Sequence, residues 1–169
     1  LQRQGMLEER QRIVRDMHDG IGGQLLGLMM QVRSGGAEPK QVEEGLQSSI
    51  ADLRLIVDSM DCAEDGLAQT LRSFEHRARP QVEAAGMAFV VRHGLAEDTP
   101  GPGPRPTLQI LRVLQEAVTN AMRHSGASEI ALESEVLADG RIRSVIADNG
   151  GGLPDEIRGG RGLTSMKSR

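Results

Sequence analysis

The sequence predicts an all-α helical hairpin followed by a small α+β sandwich domain. The hairpin is predicted because apolar residues recur every three or four positions in two successive stretches, with a turn rich in glycine and proline over residues 35–39. The second domain is predicted because a long amphipathic helix is followed by two apolar strands on either side of an Asp-Gly pair, a hairpin signal. Helices that pack on one face of such a sheet make an α+β layer.

The first helix is predicted from about residue 6 to residue 34. Its apolar stripe consists of Val14, Met17, Ile21, Leu25, Leu28 and Val32. At about 100° per residue the stripe is centred roughly 60° to one side of His18, so His18 is expected on its shoulder and Asp19 nearer to solvent. A neutral imidazole there can act as a nucleophile that the carboxylate orients or deprotonates, although a solvated pair is the commoner meaning of such a pattern.

Three glycines follow this histidine within the same predicted helix. Gly20, Gly22 and Gly23 each cost roughly 1 kcal/mol relative to alanine. We therefore expect a soft or bent segment beside His18, either as a simple kink or as room for a nucleotide or another domain to approach.

The second helix is predicted over residues 40–60. Its apolar stripe consists of Val42, Leu46, Ile50, Leu53, Val57 and Met60. Two helices alone bury little, so the economical arrangement is a four-helix bundle from two chains, and the alternative is a hairpin packed on its own domain. A polar segment over residues 61–66 predicts a linker, which divides the chain into domains over 1–62 and 63–169.

The second domain begins with a predicted helix in which Pro80 should cause a break or a kink near Arg79. The remaining predicted elements are, in order, a helix over 67–85, a strand over 87–92, a loop over 95–106, a helix over 107–124, strands over 130–136 and 142–147, a glycine-rich loop over 150–162 and a final helix from Leu163.

Polar residues on the helix over 107–124 suggest a metal-binding face. Glu116, Asn120 and His124 are spaced i, i+4 and i+8, so they project along one side. Such a face can hold a hydrated Mg²⁺, with Asn120 as the direct ligand and Glu116 binding or polarising a water, and with Arg123 and His124 near phosphates. The alternative is a solvent-facing polar stripe.

Two glycine-rich motifs follow. Asp148 ends an apolar strand, where its carboxylate can accept a hydrogen bond from an exocyclic amine such as that of adenine, and Gly150 and Gly152 let the backbone approach a flat base. Gly160 and Gly162 then precede Leu163 at a predicted helix start, where backbone amides favour phosphate. Each motif alone is weak evidence.

The motifs occur in the order found in a known family. The stretch around His18, followed by Asn120, Asp148 and Gly162 in their contexts, resembles the catalytic core of sensor histidine kinases over nearly the whole chain. The nearest subgroup contains the nitrate and membrane-fluidity sensors. The last three motifs are similar to the Bergerat-type ATP site shared by histidine kinases, gyrase-like ATPases, heat-shock-protein-90 chaperones and anti-sigma-factor kinases.

The resemblance implies a homodimer that binds ATP and Mg²⁺ and transfers the γ-phosphoryl group to Nε2 of His18, with Asp19 as a proton acceptor. The phosphate then passes to an aspartate in the receiver domain of a response regulator. By the same resemblance Asn120 binds Mg²⁺, Asp148 reads adenine, the four glycines 150, 152, 160 and 162 shape the pocket and lid, and Glu116 matches the hydrolytic base of gyrase-like ATPases.

Two features depart from the family pattern. Members of the subgroup have a glutamine four residues after the acidic residue, which positions water for dephosphorylating the regulator. Gly23 stands there, and Gln24 is turned by about 100°, so phosphatase activity by this route is expected to be weak. The chain is also expected to be truncated, because family members continue with further strands.

Composition narrows the function classes. Aromatic residues make up 1% and the net charge is −4, which disfavours base stacking and nucleic-acid binding. The single cysteine excludes an internal disulfide. The absence of a long apolar run predicts a cytoplasmic portion, with any membrane attachment in a missing N-terminal part. The alternatives are a serine kinase of the anti-sigma type and a non-catalytic dimeric scaffold with a nucleotide pocket.

Overall fold

A computed structural model describes residues 2–152, without the side chains at positions 2–4, 6, 9, 63 and 64. Its elements are α1 (Gln2–Arg33), α2 (Pro39–Ala84), β1 (Ala88–Gly94), α3 (Pro104–Asn120), a π-helical turn (Ala121–Ser125), β2 (Glu129–Val136) and β3 (Ile142–Asp148). Gly160, Gly162, Leu163 and the predicted final helix lie outside the described residues. The predicted order of a helical hairpin followed by an α+β domain is confirmed.

The first helix is uninterrupted from Gln2 to Arg33, so the expected soft segment at the three glycines does not break it. An added Cβ at Gly20, Gly22 or Gly23 would meet nothing within 4 Å. These glycines therefore leave a shallow, open surface on a regular helix. The hairpin turn follows, and Pro39 lies in the first turn of α2, where its missing N–H costs no helical hydrogen bond.

Helix α2 has one sharp kink, at Gly66 (φ 78°, ψ 166°), which divides it into a first arm (39–65) and a second arm (67–84). The predicted linker over 61–66 is thus wrong in extent, because all of it except Gly66 is helical. The side chains of Asp58 and Arg77 meet across the kink, so the two arms run side by side. Glycine suits this position because positive φ is costly for other residues.

Of the break or kink predicted near Arg79, the break does not occur, since the second arm continues past Pro80. Pro80 and His76 are both exposed, so water can satisfy the His76 carbonyl that proline cannot pair. The helix instead ends in a Schellman motif. There Gly86 (φ 78°) donates its N–H to the Glu83 carbonyl at 2.9 Å, and Met87 donates to the Val82 carbonyl at 3.1 Å.

The sheet is mixed, with strand order β1-β2-β3. Strand β1 pairs parallel with β2, and β2 pairs antiparallel with β3 through the predicted hairpin, whose turn contains Gly140 (φ 81°). The second arm of α2 and helix α3 provide the helical layer. The most deeply buried side chains of this core are Leu71, Phe74, Val82, Leu111, Val118, Ile130 and Leu132.

Candidate functional site

The polar face of α3 is built as the spacing predicts. Leu111 and Val118 anchor the opposite face of the helix in the core, which leaves Glu116 and Asn120 half-buried on the other side. The Asn120 Nδ2 group donates a hydrogen bond to Glu116 Oε1 at 3.3 Å. The helix begins at Pro104 rather than at the predicted Thr107, because proline is well accommodated in a first turn.

A cleft of about 990 Å³ lies between this face and the helical hairpin. Its lining includes Gln24, Glu44, Ser48 and Asp52 from the hairpin and Arg112, Glu116, Asn120, Arg123 and His124 from the second domain. The structure therefore brings together four of the predicted site residues, namely Glu116, Asn120, Arg123 and His124. The α-helical spacing ends at Asn120, since the next five residues form a π turn, a feature that is frequent at functional sites.

The segment that begins with Asp148 contacts Ser125, the last residue of that π turn. Asp148 Oδ1 accepts a hydrogen bond from the Gly150 N–H at 2.9 Å, and the Gly151 N–H donates to the Ser125 carbonyl at 3.1 Å. A side chain at Gly150 would overlap that same carbonyl oxygen, so glycine is required there for close approach. Gly152 follows with φ 76°. The segment after Asp148 is thus fastened to the turn that follows Asn120.

Sequence reasoning passed over Asn149. Its Oδ1 accepts hydrogen bonds from the backbone N–H groups of Ser128 (2.9 Å) and Glu129 (3.0 Å), and its Nδ2 donates to Ser128 Oγ at 3.0 Å. An asparagine directly after a strand commonly bonds to backbone groups, which was the available signal, although it does not identify the partners.

His18 and Asp19 lie apart from this cleft. Their side chains are 87% and 88% exposed, and His18 Nδ1 lies 3.7 Å from Asp19 Oδ1, beyond hydrogen-bonding distance. The expected half-buried shoulder position is therefore wrong for the single chain. Gln24 does line the cleft and can accept a hydrogen bond from Ser49 Oγ at 3.5 Å. His18 lies six residues earlier, roughly 9 Å along the axis and about 120° around it.

Two features are absent from the described residues. Residues 2–152 contain no group of three or more histidine, cysteine, aspartate or glutamate side chains placed to hold a metal ion. Within the same range, none of the helices combines the length and apolarity that crossing a bilayer requires.

Comparison with known proteins identifies the family. Residues 9–83 match the family described as histidine kinase, and residues 106–168 match the family described as histidine kinase-, DNA gyrase B-, and HSP90-like ATPase. The chain belongs to the histidine kinases. The second match includes Glu116, Asn120 and Asp148, so the part of the chain that contributes these residues is similar to that ATPase family.

Individual relatives agree with this assignment. The chain is 31% identical to the sensor histidine kinase MctS of Rhizobium johnstonii over 96% of its length, and 28% identical to the nitrate/nitrite sensor protein NarX of Escherichia coli over 97%. It spans only 38% and 29% of those relatives. The fold is similar to the Erythrobacter litoralis EL346 blue-light activated histidine kinase, with a TM-score of 0.62 at 18% identity over 93% of this chain and 54% of that one.

Proposed function

We propose that this histidine kinase core transfers the γ-phosphoryl group of ATP to His18 and then passes it to an aspartate of a response regulator. The main support is that the polar face with Asn120 and the loop with Asp148 are fastened together at Ser125, while an exposed histidine lies on the hairpin of the same chain. The proposed domains are residues 1–62 and 63–169.

In the proposed nucleotide site Asp148 reads adenine. Its Oδ1 is occupied by the Gly150 N–H, which leaves Oδ2 to accept the adenine amino group. Gly150 and Gly152 provide a side-chain-free surface beside the base. Gly160, Gly162 and Leu163 belong to the proposal through the sequence motif alone, as the lid over the phosphates.

The residues at the cleft fit a hydrated magnesium ion. Asn120 uses its N–H₂ group to bond Glu116, so its carbonyl oxygen remains as a metal ligand, and the Glu116 carboxylate can hold a coordinated water. When bound, Mg²⁺ neutralises charge on the phosphates during transfer. Arg123 and His124 line the same cleft and supply further positive or hydrogen-bonding groups toward the phosphates.

His18 is suited to accept the phosphoryl group because its ring is accessible from solvent. In the proposed reaction the Asp19 carboxylate, which lies 3.7 Å from Nδ1, moves within hydrogen-bonding distance and accepts the Nδ1 proton as the Nε2 lone pair attacks phosphorus. The new P–N bond forms as the bond between the γ-phosphorus and its bridging oxygen breaks, and ADP leaves. The hydrolytic role that Glu116 has by resemblance in gyrase-like ATPases is not used, since the acceptor is the imidazole.

A homodimer is supported by apolar residues that the single chain leaves exposed. On the first arm of α2 they follow helical spacing at Leu46, Ile50, Leu53 and Val57, and on α1 they include Val14, Leu25 and Val32. Such a stripe is unfavourable in water and matches the seam of a four-helix bundle. Two copies of the hairpin would bury it.

The response regulator needs access to His18 from the side of α1 that this seam leaves open. Exposed Leu26 and Met30 lie there, beside glycines whose surface is unobstructed. A receiver domain that docks on this face would place its aspartate beside the phosphohistidine. In this proposal the core lies in the cytoplasmic part of a sensor protein.

The proposal is tested by incubating the protein with Mg-ATP labelled at the γ-phosphate, beside His18→Gln and Asn120→Ala variants. We expect acid-labile label on the wild type and none on either variant, because phosphohistidine is lost in acid. Acid-stable label that persists in His18→Gln would support the serine-kinase alternative, and nucleotide binding without label on any protein would support the scaffold.

A further inference from the structure

We propose that Asn149 is a positioning residue that sets the orientation of the Asp148 carboxylate and thereby the preference of the site for adenine. This inference rests on the proposed function, in which Asp148 reads the adenine amino group. Asn149 itself is turned away from that role, since its side-chain amide is occupied by β2 and the residue before it.

The amide of Asn149 ties the end of β3 to the beginning of β2. It accepts from two consecutive backbone N–H groups, those of Ser128 and Glu129, and donates to the Ser128 hydroxyl, while its own backbone N–H donates to the Glu129 carbonyl at 3.3 Å. Asp148 is the adjacent residue, so these four hydrogen bonds fix the backbone from which its carboxylate projects.

A second set of hydrogen bonds holds the segment that follows Asp148. The Gly150 N–H bonds Asp148 Oδ1, and the Gly151 N–H bonds the Ser125 carbonyl. Ser125 is itself held, since its hydroxyl donates to the Ala121 carbonyl at 2.7 Å and accepts from the Ala127 N–H at 3.0 Å. Asp148 is therefore held from both sides. Without the Asn149 side chain its three hydrogen bonds are lost, and only backbone bonds hold the Asp148 side of the loop, so the carboxylate is free to turn away from the base.

The β-hairpin formed by β2 and β3 offers a matched control at its turn. Asp139 Oδ1 accepts from the Arg141 N–H at 3.0 Å, and Asp139 Oδ2 pairs with Arg141 Nε at 2.8 Å. Asp139 is also an exposed side chain that accepts a backbone N–H, but its bonds lie within the turn between β2 and β3, at the opposite end of both strands from Asp148. Its loss should affect hairpin stability without affecting base recognition.

The test measures dissociation constants by calorimetry for ADP and for inosine diphosphate, in which a carbonyl replaces the adenine amino group. We expect Asn149→Ala to weaken ADP binding about tenfold and to reduce the preference for ADP over inosine diphosphate. Asn149→Asp keeps the oxygen acceptor for both N–H groups, so it should retain that preference. Asp139→Ala should leave both constants within about twofold of the wild type.

Each other outcome would overturn the inference in a distinguishable way. If Asn149→Ala keeps the wild-type preference, Asn149 does not position Asp148. If Asp139→Ala loses the preference equally, the effect comes from the stability of the β2–β3 hairpin. If Asn149→Asp behaves as Asn149→Ala, the effect does not come from the oxygen acceptor that both N–H groups share. If the wild type binds neither nucleotide, the proposed function fails, and this inference fails with it.

Discussion

The ion pair between Asp58 and Arg77 joins the two arms of α2. Replacing either residue should destabilise the protein, but loss of Arg77 should cost more than loss of Asp58. The Asp58 side chain is 17% exposed and that of Arg77 28% exposed. Burial raises the pKa of Asp58, while the nearby Arg77 guanidinium opposes that increase. Arg77→Ala would leave a mostly buried carboxylate without its cation, whereas Asp58→Asn would leave a neutral amide beside a cation with more access to water.

The expected magnitudes follow from this asymmetry. Breaking a fully buried pair by removing one partner costs about 3–5 kcal/mol. Because both side chains keep some contact with water, we expect about 2 kcal/mol for Arg77→Ala and about 1 kcal/mol for Asp58→Asn. The double variant should be more stable than Arg77→Ala alone, since it no longer contains an unpaired buried charge.

The pH dependence gives a second check. Asp58 has a raised pKa in the folded chain, so the folded state binds more protons than the unfolded state above pH 3.8, and the contribution of this group to stability falls as the pH rises through that range. Loss of Arg77 removes an interaction that lowers this pKa, so the penalty for Arg77→Ala should be larger near pH 7 than near pH 4.5. Urea unfolding followed by circular dichroism at both pH values measures it. Equal penalties for the two single variants, or a pH-independent penalty for Arg77→Ala, would refute the reasoning.

Three further predictions concern the site, the dimer and the core. Gly150→Ala places a methyl group against the Ser125 carbonyl, so ADP binding measured by calorimetry should weaken at least about tenfold; unchanged binding would mean that this contact is dispensable. Leu53→Glu puts a charge in the proposed seam and should give a monomer in light scattering, whereas Leu26→Glu, outside the seam, should remain dimeric. Leu111→Ala empties a fully buried position and should lower the free energy of unfolding by about 3 kcal/mol in urea, and a loss below about 1 kcal/mol would contradict its place in the core.

The hairpin and helix α3 could be predicted because each has an apolar stripe with helical period. The kink at Gly66 shows where this reasoning fails. The polar composition of residues 61–66 suggested a linker, yet Cys62 within it is buried, contacts Thr107 Oγ1 at 3.4 Å and would overlap any side chain at Gly101. The segment is helical because the start of α3 and its preceding loop cover it, and no local pattern records such a contact.

In the site, as in the fold, pairs that are close in the sequence could be predicted, and contacts between distant segments could not. Glu116 and Asn120 were predictable because an i, i+4 pair on one helix needs no knowledge of the rest of the fold. The fastening of Gly151 to Ser125 and of Asn149 to the beginning of β2 was not, because hydrogen bonds between irregular segments have no sequence period. The exposure of His18 was misjudged for another reason. In a sequence, an apolar stripe that packs against a second chain looks the same as one that is buried within its own chain.

The orientation of His18 bears on which chain receives the phosphate. Transfer needs the reacting atoms about 3–3.5 Å apart, yet His18 is absent from the cleft lining and lies roughly 120° around α1 from Gln24, which does line it. At that angle His18 is close to the exposed stripe of Val14 and Leu25, at the edge of the proposed dimer seam. A histidine at the edge of this seam lies toward the partner chain and away from its own cleft, with its other side open to solvent, so we expect transfer between chains. Mixed dimers of His18→Gln and Asn120→Ala should then carry label on the Asn120→Ala chain, because it keeps the acceptor and its partner keeps the nucleotide site. Label confined to wild-type dimers would show instead that the ATP-binding domain swings about Gly66 to reach the histidine of its own chain.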